Sequence, residues 1–140
     1  MNQRGPMRSG EVVESTKPRV LLVEDHVDSR EALRRLLARA GFVVLTADGY
    51  HAALALGRAC PFDVLVTDLR LADGDGRALL RALRPAGDCP AVLVTGSSLA
   101  PNEEKLSLDA GFCVHLTKPL VFAQLLEAIE RCAAMIPARS

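Results

Sequence analysis

Four short apolar runs, each breaking off into polar residues, constrain this chain more than any other feature. They are Val20–Val23 into Glu24-Asp25, Val64–Thr67 into Asp68, Ala91–Val94 into Thr95, and Cys113–Thr117 into Lys118-Pro119. Short β-branched runs separated by helical patterns read as buried parallel strands. In an open α/β sheet, ligands bind outside the carboxyl ends of the strands, where the strand order reverses. If these four ends are neighbours, three carboxylates, a hydroxyl and an ammonium converge in one crevice. That set of groups can bind Mg²⁺ and handle a phosphoryl group.

The 140 residues suit one domain with a real core. Residues 1–18 are polar, contain Gly5, Pro6, Gly10 and Pro18, and show no sustained period, so they read as a flexible leader. A strand–helix alternation then runs over residues 19–135, and 136–140 form a short tail. The expected strands are 19–24, 42–46, 63–67, 91–95 and 112–117. The first helix should open on the capping pattern Asp28-x-x-Glu31, bury Leu33, Leu36, Leu37 and Ala40, and end at Gly41. Further helices are expected at 50–59, 77–83, from Pro101 to Gly111, and at 121–134, the last with an apolar stripe of Phe122, Leu125, Leu126, Ile129 and Ala133. Such alternation implies right-handed crossovers and a doubly wound, five-stranded parallel sheet, flavodoxin-like in the order 2-1-3-4-5.

Composition narrows the function. Seventeen basic and seventeen acidic residues cancel, so no global field favours nucleic acid or an anionic membrane. No apolar stretch approaches membrane-spanning length, and the N-terminus lacks a signal-peptide core, which points to the cytoplasm. Cys60, Cys89, Cys113 and Cys132 show no metal-like spacing and read as small buried apolar side chains. His26 and His51 read as loop and helix-surface residues.

Glu24, Asp25 and Asp68, crowded in one crevice, would raise one another's pKa unless a cation compensates. Mg²⁺ suits few carboxylates plus a phosphate oxygen. A phosphorylated Asp68 could then place its remaining oxygens on the Thr95 hydroxyl and the Lys118 ammonium. Gly96 would leave room for the donor.

With those motifs in place, residues 19–134 resemble the receiver domain of two-component response regulators. The resemblance rests on Glu24-Asp25, Asp68 in Val-Thr-Asp-Leu-Arg-Leu-Ala-Asp-Gly-Asp-Gly, Thr95 in Val-Thr-Gly-Ser, Ala110-Gly111-Phe112 and Lys118-Pro119. It implies that Asp68 accepts a phosphoryl group from a histidine kinase or histidine phosphotransfer protein, without turnover as an enzyme. It also implies Mg²⁺ on Glu24, Asp25, Asp68 and the Arg70 backbone carbonyl, phosphoryl contacts from Thr95 and Lys118, and a cis bond before Pro119. His115 stands where the family usually has Tyr or Phe; it either swings inward on phosphorylation or stays outward as a partner contact. Arg70 and Ser97 sit where phosphoryl lifetime is tuned, and Ala72 replaces a frequent proline. Arg30, Arg34, Arg35 and Arg39 give the first helix a basic face, read as a kinase-docking or simply solvated surface.

The signal would be a shift of the face made by the fourth helix, fifth strand and fifth helix, controlling an unidentified downstream protein or a homodimer. Near-complete switching takes about 5 kcal/mol of differential stabilisation. The alternatives are the terminal receiver of a hybrid histidine kinase, an aspartate-nucleophile phosphatase, for which Arg70 stands where a second acid is needed, and a flavodoxin-like cofactor binder, for which Glu24-Asp25-His26 has the wrong charge.

Overall fold

The structure is a computed structural model and describes residues 17–84, 89–96 and 101–135. The expected leader up to residue 16, the tail from residue 136 and Ser97 lie outside the described residues. The strands are β1 (Arg19–Val23), β2 (Val43–Ala47), β3 (Val64–Asp68), β4 (Arg70–Leu71), β5 (Gly74–Asp75), β6 (Ala91–Thr95) and β7 (Phe112–Thr117). The helices are α1 (Val27–Arg39), α2 (Tyr50–Ala59), α3 (Gly76–Leu83), α4 (Pro101–Ala110) and α5 (Phe122–Ala133). Five strands form one parallel sheet in the order β2-β1-β3-β6-β7, while β4 and β5 make a small antiparallel ribbon. The main sheet therefore has the doubly wound, flavodoxin-like order expected from the sequence.

Alternation along the central strands splits the core into two layers. Leu21, Leu65, Leu93 and Phe112 pack with Ala53, Leu79, Leu80, Leu83 and Ala110, under α2, α3 and α4. Val20, Leu22, Val66, Val92 and Val94 pack with Leu37 of α1 and with Leu125, Ala128, Ile129 and Cys132 of α5. Both faces of β3 and β6 are covered, which is why both strands are buried throughout and apolar up to the polar residues at their carboxyl ends.

Two local expectations need correction. Asp28 does not cap α1; His26 is the N-cap residue, Asp28 lies in the first turn, and Glu31 pairs with Arg34 and Arg35. Leu36 is exposed, because the stripe facing the sheet is centred on Leu37. The stretch after Asp68 is an ordered ribbon whose acids cap two helices. Asp75 accepts from the backbone N–H of Arg77 and Ala78 at the start of α3, and Asp73 from those of Tyr50 and His51 at the start of α2. Gly41 and Gly111 do follow α1 and α4 at positive φ, as αL caps require.

Candidate functional site

Strand register assembles the site. Val23 pairs with Thr67, so Glu24 and Asp68, each one residue on, lie side by side. Asp68 pairs with Val94 and Thr95 with Thr117, which places Thr95 and then Lys118 at the next two ends. Backbone bonds continue the ladder into the site: the N–H of Glu24 donates to the Ala47 carbonyl (3.1 Å), Leu69 to Val94 (3.1 Å) and Lys118 to Thr95 (2.7 Å). The side chains are thus fixed by the sheet itself. The Lys118–Pro119 peptide is cis.

At these ends lies a cleft of about 320 Å³ lined by Asp25, His26, Asp68, Arg70, Thr95, Gly96, Glu103 and Lys118, among others. Glu24, 2% exposed, lies behind this lining and is joined to Asp68, 8% exposed, through Lys118. The Lys118 ammonium bridges them, 2.9 Å from Glu24 Oε1 and 3.2–3.3 Å from the two Asp68 oxygens. A cation spans the two acids, and Asp68 keeps a face toward the cleft.

The two carboxyls are driven apart electrostatically. Burial alone would raise Glu24, but the His26 N–H and the Lys118 ammonium outweigh it and hold Glu24 down to about 2. Asp68 is pushed up to about 7, first by burial and then by the charge on Glu24, against the opposing pull of Lys118. Asp68 therefore holds a proton more tightly than a free carboxyl does whenever no cation beyond Lys118 compensates.

His26, read from the sequence as a plain loop residue, belongs to the site. Its backbone N–H donates to Glu24 Oε2 (3.0 Å), and its Nδ1 lies 3.1 Å from that oxygen and 3.3 Å from Asp25 Oδ1. Ligand atoms of Glu24, Asp25 and His26 converge within 4.8 Å of one another. The only sequence signal for this was His26's position, directly after the acidic pair.

Thr95 is 6% exposed, and its Oγ1 shares a 2.8 Å hydrogen bond with His115 Nε2. His115 is turned inward, toward the cleft's edge. Arg70, mostly exposed, reaches Glu103 of α4 at 3.3 Å across the cleft mouth. Beside Gly96, among the described residues, nothing lies within 4 Å of where a Cβ would stand. Next to Asp68 the packing is tight: a Cβ on Gly76 would stand 2.4 Å from the Asp68 carbonyl oxygen. The basic face of α1 is partly neutralised, since Arg34 and Arg35 lie against Glu31 and Arg30 donates to the Glu24 carbonyl (2.9 Å).

The converging donors are the Glu24 and Asp25 carboxylates with His26 Nδ1; the two carboxylates suit a small hard cation, and Asp68, adjacent but outside that group, lies where positive charge is favoured. Among the described residues no helix is long and apolar enough to cross a membrane.

Comparison with known proteins places the chain in a family. The family profile described as "Response regulator receiver domain" matches residues 20–130. Response regulator MprA of Mycobacterium leprae is 38% identical over 113 residues, covering 80% of this chain and 49% of that protein. Sensor histidine kinase GacS of Pseudomonas protegens is 32% identical over 125 residues, covering 85% of this chain but 14% of the kinase. The non-phosphorylated HemR receiver domain of Leptospira biflexa superposes with a TM-score of 0.78 at 30% identity, covering 89% of this chain and all of that one. The chain spans about half, or less, of the curated relatives it matches.

Proposed function

The chain belongs to the response regulator receiver domain family of two-component systems, and from that membership we propose that it is a phosphoacceptor whose reactive group is Asp68. Receivers are signalling modules, and the reading is of a cytoplasmic one that accepts a phosphoryl group without turnover. The observation that carries the proposal is the Lys118 ammonium spanning Glu24 and Asp68 at 2.9 and 3.2 Å, beside an open cleft.

In this reading an Asp68 carboxylate oxygen attacks the phosphorus of a phosphohistidine on a kinase or phosphotransfer protein. A P–O bond forms, the P–N bond breaks, and the departing imidazole nitrogen takes a proton from solvent. Glu24, Asp25, Asp68 and the Arg70 carbonyl would hold Mg²⁺, which when bound supplies positive charge to the carboxylates and a phosphoryl oxygen. His26 Nδ1 lies close enough to orient the acidic pair. Because Glu24 is fixed as an anion and Asp68 is not, Glu24 serves as the permanent charge and Asp68 as the group that changes state.

Lys118 already reaches Asp68 and would follow charge onto the phosphoryl oxygens. The Thr95 hydroxyl shares its hydrogen bond with His115 Nε2 while its hydrogen is needed for a phosphoryl oxygen. The bond to His115 then survives only if Nε2 carries a hydrogen. In this way phosphorylation acts on β7, and through it on the face of α4, β7 and α5 that would control a partner protein or a second copy. Arg70 and Glu103 at the mouth, with Ser97, would set water access and hence phosphoryl lifetime.

A second reading, the receiver module of a hybrid histidine kinase, is favoured by the match to a short stretch of GacS. Phosphotransfer profiling against the host's purified histidine kinases tests the proposal. One kinase should label the chain far faster than the rest, on Asp68. Labelling by none, under conditions where another receiver is labelled, would contradict it.

A further inference from the structure

Away from the acidic cleft, three sulfur atoms converge at the β7 edge of the sheet. β7 pairs with β6 on one side only, and the register slips there: Ala91 pairs with Phe112, but Val92 with Val114. Cys113 is the residue passed over, the extra residue of a β-bulge, which re-aims side chains. Phe112 packs in the layer under α2, α3 and α4, while Cys113 and Val114, adjacent in sequence, both pack in the α5 layer.

There Cys113 Sγ lies 3.3 Å from Met135 Sδ. Cys113 packs against the same buried cluster as Cys132, whose thiol lies 3.6 Å from the Ala91 carbonyl. Met135 is held in place by its backbone N–H, which donates to the Cys132 carbonyl at 3.0 Å, so Cys132-x-x-Met135 forms a turn that presents both sulfurs to the bulge. Access is graded: Met135 is exposed, Cys113 partly buried and Cys132 buried.

We propose that Cys113, Cys132 and Met135 form a three-sulfur site for a soft monovalent cation, Cu(I). Thiolate and thioether ligands select Cu(I) over harder ions. Zinc would need a fourth ligand. Among the described residues the acidic pair with His26 is the only converging group of three His, Cys, Asp or Glu side chains, so none completes a tetrahedron here. Binding replaces two S–H bonds with Cu–S bonds and releases both protons to solvent, while copper stays Cu(I). The resulting negative charge lies within the field of the Arg131 guanidinium. Burial and the Cys113 contact hold the Cys132 thiol protonated, which makes it a poor attacker for a disulfide, whereas a coordinating metal deprotonates a thiol outright. An occupied site would tie the bulge of β7 to the end of α5, and it does not rest on the phosphoacceptor reading.

The test is anaerobic titration of the reduced full-length protein against the coloured Cu(I)–bicinchoninate complex. We expect one Cu(I) withdrawn per chain, loss of that withdrawal in Cys113→Ser, weakening in Met135→Leu, and no change in Cys60→Ser. Cys113 is only partly buried, so its serine variant carries the decision, with circular dichroism reporting that it is folded. No withdrawal by the wild type, or equal withdrawal by folded Cys113→Ser, would overturn the site. So would weakening by Cys60→Ser as large as that by Cys113→Ser.

Discussion

Asp68 and Glu24 are chemically alike and adjacent, yet they occupy opposite electrostatic states, and that difference can be measured. A carboxyl whose folded pKa is raised binds its proton more tightly in the native protein than in the unfolded chain. Asp68 rises from 3.8 to about 7, so the stability tied to its proton is full below about pH 4 and is lost as pH climbs to about 7. Glu24 falls from 4.5 to about 2, so its contribution is present above about 4.5 and is lost as pH drops toward 2. Metal-free protein should therefore lose stability between pH 5 and 8, and Asp68→Asn should flatten that loss. Urea denaturation with EDTA at the two pH values checks this; an equal loss in wild type and variant would remove the assignment. Lys118→Met strips the buried Glu24 charge of its ammonium and should cost about 2–4 kcal/mol in the same assay.

The residues that sequence reasoning brought together are those at the strand ends, because a residue's place after an apolar run fixes its place on the sheet. His26 escaped because its role depends on a loop conformation that turns its ring back onto the acids. The Cys113–Met135 contact escaped because a bulge breaks the period of two on which strand reading depends. Leu36 was misplaced by the same kind of limit: a helical stripe is about a turn wide, and its edge positions are decided by packing.

Elements explain why the site is stiff on one side and free on the other. The β4–β5 ribbon is anchored by Asp73 on α2 and Asp75 on α3, which holds the backbone just beyond Asp68. Gly76, where α3 begins, has no room for a side chain against the Asp68 carbonyl, whereas none of the described residues crowds Gly96. Gly76→Ala should therefore cost about 1–3 kcal/mol, and Gly96→Ala less than about 0.5 kcal/mol. Equal effects in thermal melts would contradict the packing. By contrast, α4 exposes Leu106 and Leu108 and buries Ser107 and Ala110. A helix so thinly anchored should open locally at low cost. Hydrogen exchange should run faster in α4 than in α5, which buries Leu125, Ala128, Ile129 and Cys132; protection of α4 equal to that of α5 would argue against α4 as the moving part.

At the scale of the whole molecule, the strand order reverses between β1 and β3, and the acids sit there. The sheet order, the five helices and the strand-end residues were legible because two periodicities, 2 and 3.6, alternate along the chain with clear punctuation. The ribbon after Asp68 was not, since two-residue strands carry no period at all. A cation that binds the folded cleft and not the unfolded chain raises the melting temperature by mass action. The Mg²⁺-induced rise should be larger at pH 8 than at pH 5, where the proton on Asp68 competes.

Intact-protein mass spectrometry after incubation with acetyl phosphate and Mg²⁺ bears most directly on Asp68 as the reactive group. Wild type should gain the mass of one phosphoryl group, EDTA should prevent the gain, and Asp68→Asn should gain nothing. Equal labelling of wild type and Asp68→Asn, or labelling indifferent to Mg²⁺, would contradict it.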